Sequence, residues 1–121
     1  MLTFILAVLV QAQTAAVPGY DRTEVMIPMR DGVKLHTIIQ APRGGVKVPI
    51  LLHRTPYGAE FADLMARRDK DFGLEGYIFV GQDIRGRFGS EGTFDMNRPP
   101  KTTRNGVDES TDAFDTIDWL V

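Results

Sequence analysis

At 121 residues the chain is long enough for one small domain and too short for two. Its 43% hydrophobic content and net charge of -2 describe an ordinary globular surface, without the basic excess that a nucleic-acid partner requires. With no cysteine, disulfide frameworks, thiolate zinc sites and thiol nucleophiles are excluded, and cysteine usage is silent on compartment.

Leu2 to Val10 is apolar apart from Thr3 and is followed by small and polar residues, the pattern of a signal-peptide core. Such a run spans only ~14 Å as a helix, well short of a bilayer, so no stable membrane anchor is expected. Val10 and Ala12 offer a small-residue cleavage pattern, with Thr14 and Ala16 as a second. Residues 1–16 are therefore read as a signal peptide and cleavage region, and the protein as exported, periplasmic or secreted. No Lys or Arg precedes the apolar run, which keeps an apolar N-terminal strand or helix as the alternative.

Past a linker at Pro18 and Gly19, Thr23 to Met29 and Val33 to Gln40 have strand character and flank Arg30-Asp31-Gly32. Asp-Gly between two such runs signals a hairpin, with glycine supplying the positive φ of a primed turn. Val33, Leu35, Thr37 and Ile39 alternate with Lys34, His36, Ile38 and Gln40, which predicts a half-buried antiparallel ribbon at a sheet edge. His36 is placed on its surface. Ala41 to Gly45 leaves as a loop.

Pro49 to His53 is continuously apolar in its middle and reads as a central parallel strand. It runs into Arg54-Thr55-Pro56-Tyr57-Gly58 at its carboxyl end, the edge where open α/β sheets bind ligands. His53 lacks a serine to assist and is read as a satisfied core or rim histidine. A helix is predicted over 60–72, with Phe61, Leu64, Met65, Arg68 and Phe72 on one face and Gly73 as its stop.

Tyr77 to Val80, bounded by Gly76 and Gly81, is a buried strand, so strand, helix and strand form a parallel crossover unit. It empties into a glycine-spaced loop carrying Asp83, Arg85, Arg87, Ser90 and Glu91. Backbone N–H groups and two arginines suggest a phosphate cradle, but the spacing is neither G-x-G-x-x-G nor the Walker pattern. The preferred reading is a structural loop in which Asp83 and Arg85 enter local ion pairs or backbone hydrogen bonds. After a loop over 98–106, Asp108 opens a helix as its cap, and Glu109 and Asp112 suit the positive end of the helix dipole rather than a metal. Ala113, Ile117, Leu120 and Val121 form its apolar face. The end of the chain reads as a truncation that leaves the Tyr77 strand at an unpaired, aggregation-prone edge.

Met26 to Leu35 (M-I-P-M-R-D-G-V-K-L), His53 to Tyr57 (H-R-T-P-Y), Gln82 to Gly92 (Q-D-I-R-G-R-F-G-S-E-G) and Asp112 to Leu120 (D-A-F-D-T-I-D-W-L) carry a resemblance. In this order they resemble the X-Pro dipeptidyl-peptidase-like branch of the α/β hydrolases, which includes cocaine esterase and the α-amino acid ester hydrolases. Glu91 to Pro99 is most similar to the last of these. The fold implied for residues 20–121 is α/β, an incomplete α/β-hydrolase fold in which an antiparallel hairpin leads into parallel strands with crossover helices.

The resemblance implies a serine hydrolase of small acyl esters or amides, α-amino acid derivatives among them. Its serine would stand on a G-x-S-Y-x-G elbow, with Asp and His further on, all beyond this chain, so the chain itself is expected to be inactive. Tyr57 matches the family tyrosine whose phenol donates to the oxyanion. Gly58 stands where Asp or Asn is expected. A small-molecule ester or amide is the expected partner, without cofactor, metal or nucleic acid, and the full-length protein is compatible with a homo-oligomer. The alternatives are an X-Pro dipeptidyl-peptidase, a glutaryl acylase and a non-catalytic scaffold remnant.

Overall fold

The computed structural model describes residues 16–45 and 47–121, so the expected leader lies outside the described residues apart from Ala16. β1 (Tyr20–Pro28) and β2 (Lys34–Pro42) pair antiparallel, with Ile27 opposite Leu35. The connection is not a primed turn. Met29 N–H donates to Val33 O at 2.8 Å and Gly32 N–H to Met29 O at 2.9 Å, which encloses Arg30-Asp31-Gly32 as the loop. Gly32 takes φ 85, while Asp31 keeps an ordinary negative φ. Three loop residues with glycine last are the bulged hairpin geometry, and a primed two-residue turn would have needed Asp31 left-handed as well.

β3 (Ile50–Thr55) and β4 (Ile78–Asp83) pair in parallel, and β4 also pairs antiparallel with β2, giving the order β1-β2-β4-β3. This corrects two expectations. The Tyr77 strand is no edge: β4 lies between β2 and β3, with Phe79 to Asp83 buried throughout. β3, read as central, is instead the outer strand of the described sheet, and Ile50 to Arg54 are only half-buried. Both strands are apolar in their middles, and that pattern carries no information about which lateral edge is paired.

On one face lies α1 (Phe61–Arg67), shorter than predicted and followed by a 3₁₀ turn at Lys70–Phe72 that Gly73 ends at φ 65. Ala59, Ala62, Met65 and Ala66 pack on Ile38, Phe79 and Tyr20, whereas Leu64 and Phe72, expected inside, are about half exposed. Gly81 explains the choice. A Cβ there would stand 2.0 Å from Ala59 O, so the start of α1 rests on the strand backbone and admits only small side chains.

α2 (Glu109–Leu120) covers the other face and begins at Asp108. The Asp108 carboxylate accepts from Thr111 N–H at 2.8 Å and Thr111 Oγ1 accepts from Asp108 N–H at 3.0 Å, a reciprocal capping box. Its inward residues are polar: Thr111, Asp112 and Thr116 are buried, while Ile117 is 50% and Val121 90% exposed. Ile117, Leu120 and Val121 instead border, with Ile50 and Leu52, an apolar groove of about 240 Å³ beside β3. Helical spacing correctly groups these residues on one face. Which face points in follows from the partners it meets, because Gln82 of β4 and Arg85 just beyond it bond Thr116 and Asp112.

Candidate active site

β3 and β4 end side by side, with Thr55 opposite Asp83, and the two loops that follow form one rim. After Thr55 the chain turns sharply. Ile84 N–H donates to Thr55 O at 3.1 Å, and Thr55 Oγ1 accepts from Tyr57 N–H at 3.0 Å. Gly58 at φ 119 and the fully buried Ala59 then lead the chain down into α1. An Asp or Asn at 58 would hold that positive φ under strain, which accounts locally for glycine. Tyr57 is left at the rim with its side chain solvent-facing, 78% exposed, on a fixed backbone.

The loop over 84–92 is tied to the start of β2. Asp83 Oδ2 accepts from Gly89 N–H at 3.1 Å and lies 2.8 Å from His36 Nδ1. Ser90 Oγ donates to Asp83 O at 2.6 Å and accepts from His36 N–H at 2.9 Å. Glu91 exchanges bonds with Lys34, its N–H donating to Lys34 O and its carboxylate accepting from Lys34 N–H, both at 2.9 Å. A Cβ at Gly89 would come within 2.8 Å of the His36 ring, so this glycine permits close packing rather than an anion nest.

Arg85 is equally committed. It is 5% exposed and forms paired bonds with Asp112 (2.7 and 3.0 Å) and Asp31 (2.7 and 3.2 Å). Hydrogen bonding to Asp112 outweighs burial and raises the guanidinium pKa further above its ordinary value. Arg54 Nη1 reaches the Glu109 carboxylate at 2.8 Å, so two carboxylates at the start of α2 are held by arginines. These contacts favour the structural reading of the loop over a phosphate cradle.

His36 corrects the sequence reading. It is not a surface residue; its side chain is 15% exposed and lies between Asp83 and Glu24. Burial alone would lower its pKa, but hydrogen bonds to Glu24 and then Asp83 outweigh it and raise the value above 6.5. Ser90, His36 and Asp83 thus meet without forming a nucleophilic triad. Ser90 Oγ bonds the His36 backbone N–H, and both ring nitrogens face carboxylates, leaving the serine proton no base. His53 stacks on Phe61 with ring centroids 3.9 Å apart, and its buried Nδ1 has no hydrogen-bond partner, so it is a rim histidine only partly satisfied.

Arg87, which the sequence reading considered only as one of two arginines of a phosphate cradle, joins the two loops. Its Nε donates to Pro56 O at 3.0 Å, and its guanidinium lies 5.0 Å from the ring centroids of both Phe88 and Phe94. Phe88 holds φ 44, a positive φ found at no other non-glycine among the described residues. Arginine, phenylalanine and a flanking glycine in one short loop were the available signal; the contact with Pro56 was not readable from spacing.

Residues 31–121 match the family described as X-Pro dipeptidyl-peptidase (S15 family). The chain is 38% identical over 104 residues to the cocaine esterase of Rhodococcus sp. (strain MB1 Bresler), which covers 82% of this chain and 16% of that protein. A solved α-amino acid ester hydrolase is similar at 42% identity and a TM-score of 0.80, covering 99% of this chain and 22% of its own. An aminopeptidase from the marine sediment archaeon Thaumarchaeota archaeon is similar at 46% identity and a TM-score of 0.72, covering 84% and 19%. The chain therefore spans less than a quarter of the length of these relatives. A family match over three of the four described strands, both α-helices and the whole Tyr57 rim makes this chain a member of the S15 family of α/β hydrolases.

Proposed function

We propose that the protein carrying this chain is a serine hydrolase that cleaves small acyl esters or amides, α-amino acid derivatives included, with Tyr57 as a donor to the oxyanion. The carrying observation is the Tyr57 rim. Its N–H is already taken by Thr55 Oγ1, so the group this segment has to offer a substrate is the exposed phenol. A hydroxyl carried on a fixed backbone beside the carboxyl ends of parallel strands suits negative charge that develops only in the transition state, and one such donor is typically worth ~3 kcal/mol.

In this reading a serine beyond Val121, deprotonated by a histidine, attacks the carbonyl carbon, and the carbonyl oxygen takes the charge. Tyr57 and a backbone N–H stabilise it, the alcohol or amine leaves with the histidine's proton, and water then hydrolyses the acyl-enzyme. Ser90 is unsuited to that part because its hydroxyl is bonded within the loop. The chain from 1 to 121 is accordingly inactive by itself.

Three measurements test this. The reading frame beyond Val121 should encode a G-x-S-x-G elbow, and its absence sinks the enzyme reading. A fluorophosphonate probe should label the complete product and leave a 1–121 chain unlabelled. Tyr57→Phe in the complete protein should lower kcat for an amino-acid ester by ~10²-fold or more without loss of fold; unchanged kinetics removes Tyr57 from the mechanism.

The 46% identity to an aminopeptidase supports a second reading, hydrolysis of peptides from their amino end. Comparing kcat/KM for an amino-acid ester and an X-Pro peptide separates the two. Export is proposed from the Leu2 to Val10 segment, and recovery of full-length, unprocessed protein from the cytoplasm would oppose it.

A further inference from the structure

We propose that Arg87 is the positioning residue for the Tyr57 hydroxyl, acting through the Pro56–Tyr57 peptide; this rests on the oxyanion role proposed for Tyr57. Both polar groups of that one peptide plane are held. Its C=O accepts from Arg87 Nε at 3.0 Å, and its N–H donates to Thr55 Oγ1 at 3.0 Å. Tyr57 is 78% exposed, so neighbouring side chains hardly constrain its ring. The direction of its Cα–Cβ bond is set by the backbone, and the backbone is set by these two bonds.

Arg87 is suited to the task by what surrounds it. Arg22, Arg30, Arg54 and Arg85 each pair with carboxylates, whereas the side-chain contacts of Arg87 among the described residues are one carbonyl and two aromatic rings. Rings on which the guanidinium lies restrict its plane, and with it the direction of the Nε–H, without drawing it away from Pro56. The Phe88 ring reaches it from a backbone at φ 44, a left-handed conformation that is strained for such a residue. That strain is held on both sides, by Ser90 N–H to Arg87 O at 2.9 Å and by Gly89 N–H to Asp83. Strain maintained beside a rim, with its ring over the one arginine that touches the Tyr57 peptide, points to orientation of that peptide.

The test uses the complete gene product and steady-state hydrolysis of an amino-acid p-nitrophenyl ester. Arg87→Ala should lower kcat about ten-fold while KM stays within about two-fold, because a misaimed donor weakens the transition state more than substrate binding. Arg87→Lys should remain low, since it keeps the charge and loses the planar Nε–H. In the Tyr57→Phe background, Arg87→Ala should cost less than about two-fold, because the hydroxyl it aims is gone.

A full ten-fold further loss in that background overturns the proposal, as does an Arg87→Ala enzyme with raised KM and intact kcat, which would make Arg87 a binder of substrate anions. Should Arg87→Ala fail to fold, Phe94→Leu decides. It leaves Arg87 in place but removes one ring, and kcat should fall about two- to three-fold in the wild type and not in Tyr57→Phe. If Tyr57→Phe itself is silent, the oxyanion reading fails. If Tyr57→Phe is impaired and Arg87→Ala is not, this inference alone fails.

Discussion

Against α1 the sheet presents Ile38 and Phe79 to Ala59, Ala62 and Ala66, whereas against α2 Gln82 of the sheet meets Thr116 and Arg85, just past β4, meets Asp112. Apart from Asp63, which accepts from Gln40 Nε2 at 2.7 Å, the first contact is a matter of distance. It depends on Gly81 and three alanines letting backbones approach, and it tolerates no added volume. The second is a matter of partners. Thr116 Oγ1 reaches Gln82 Oε1 at 3.1 Å, Gln82 Nε2 reaches Thr37 Oγ1 at 3.0 Å, and Asp112, fully buried, is compensated by Arg85. The two faces should therefore fail to opposite kinds of substitution.

The largest effect is expected where a charge would be orphaned. Arg85→Ala leaves Asp112 buried without its main cation and should cost about 4 kcal/mol, read from the midpoint of urea unfolding. A loss below about 1 kcal/mol would show that α2 is held by something other than the network. Next comes Gly81→Ala, which puts a methyl against Ala59 O and should cost about 3 kcal/mol, while Leu64→Ala on the exposed side of α1 should cost well under 1. Comparable losses at 64 and 81 would remove the close-approach argument.

Smaller again is Thr116→Val, which keeps shape, removes the bond to Gln82 and should cost about 1 kcal/mol, whereas an isosteric change at Met65 on the α1 face has no hydrogen bond to lose. The smallest effect sits where the rim meets the sheet. Because the folded pKa of His36 is raised, its ionised form contributes stability fully below about pH 6.5, and this is lost as pH rises through the folded value. Glu24 moves the other way, lowered by His36 and then Arg22, so its share is present above about pH 4.5 and lost as pH falls through its folded value. The clamp is strongest between those limits, and His36→Gln should flatten the alkaline side of the stability profile. An unchanged profile would mean that the loop is held by Ser90 and Glu91 alone.

The same contrast explains what was readable beforehand. The hairpin, the parallel pairing of β3 and β4, the Asp108 cap and the carboxyl-end placement of Tyr57 follow from local chemistry and alternation, and these were legible. The lateral order of strands was not, because an apolar middle looks alike in a central and an outer strand. Nor was the inward face of either helix. Leu64 and Ile117 are good core residues by type, yet Gly81 selects alanines on one side and Arg85 selects Asp112 on the other. His36 escaped because its burial comes from a loop more than fifty residues later, closing over it through Gly89 and Ser90.

The order β1-β2-β4-β3 has a kinetic side. β2 and β3 have no bonds to each other, so a ribosome that has released the chain as far as Phe72 has made two pieces of sheet with nothing between them. β4 then joins both at once, in register with Thr37 to Gln40 on one side and with Ile50 to Thr55 on the other. Loop closure on two sides has to be met by a single six-residue segment, which makes its arrival the slow, cooperative event of assembly. Until Asp83 emerges, the hairpin and β3 are separate exposed edges, and a chaperone that shields them would have its work between those two moments of synthesis.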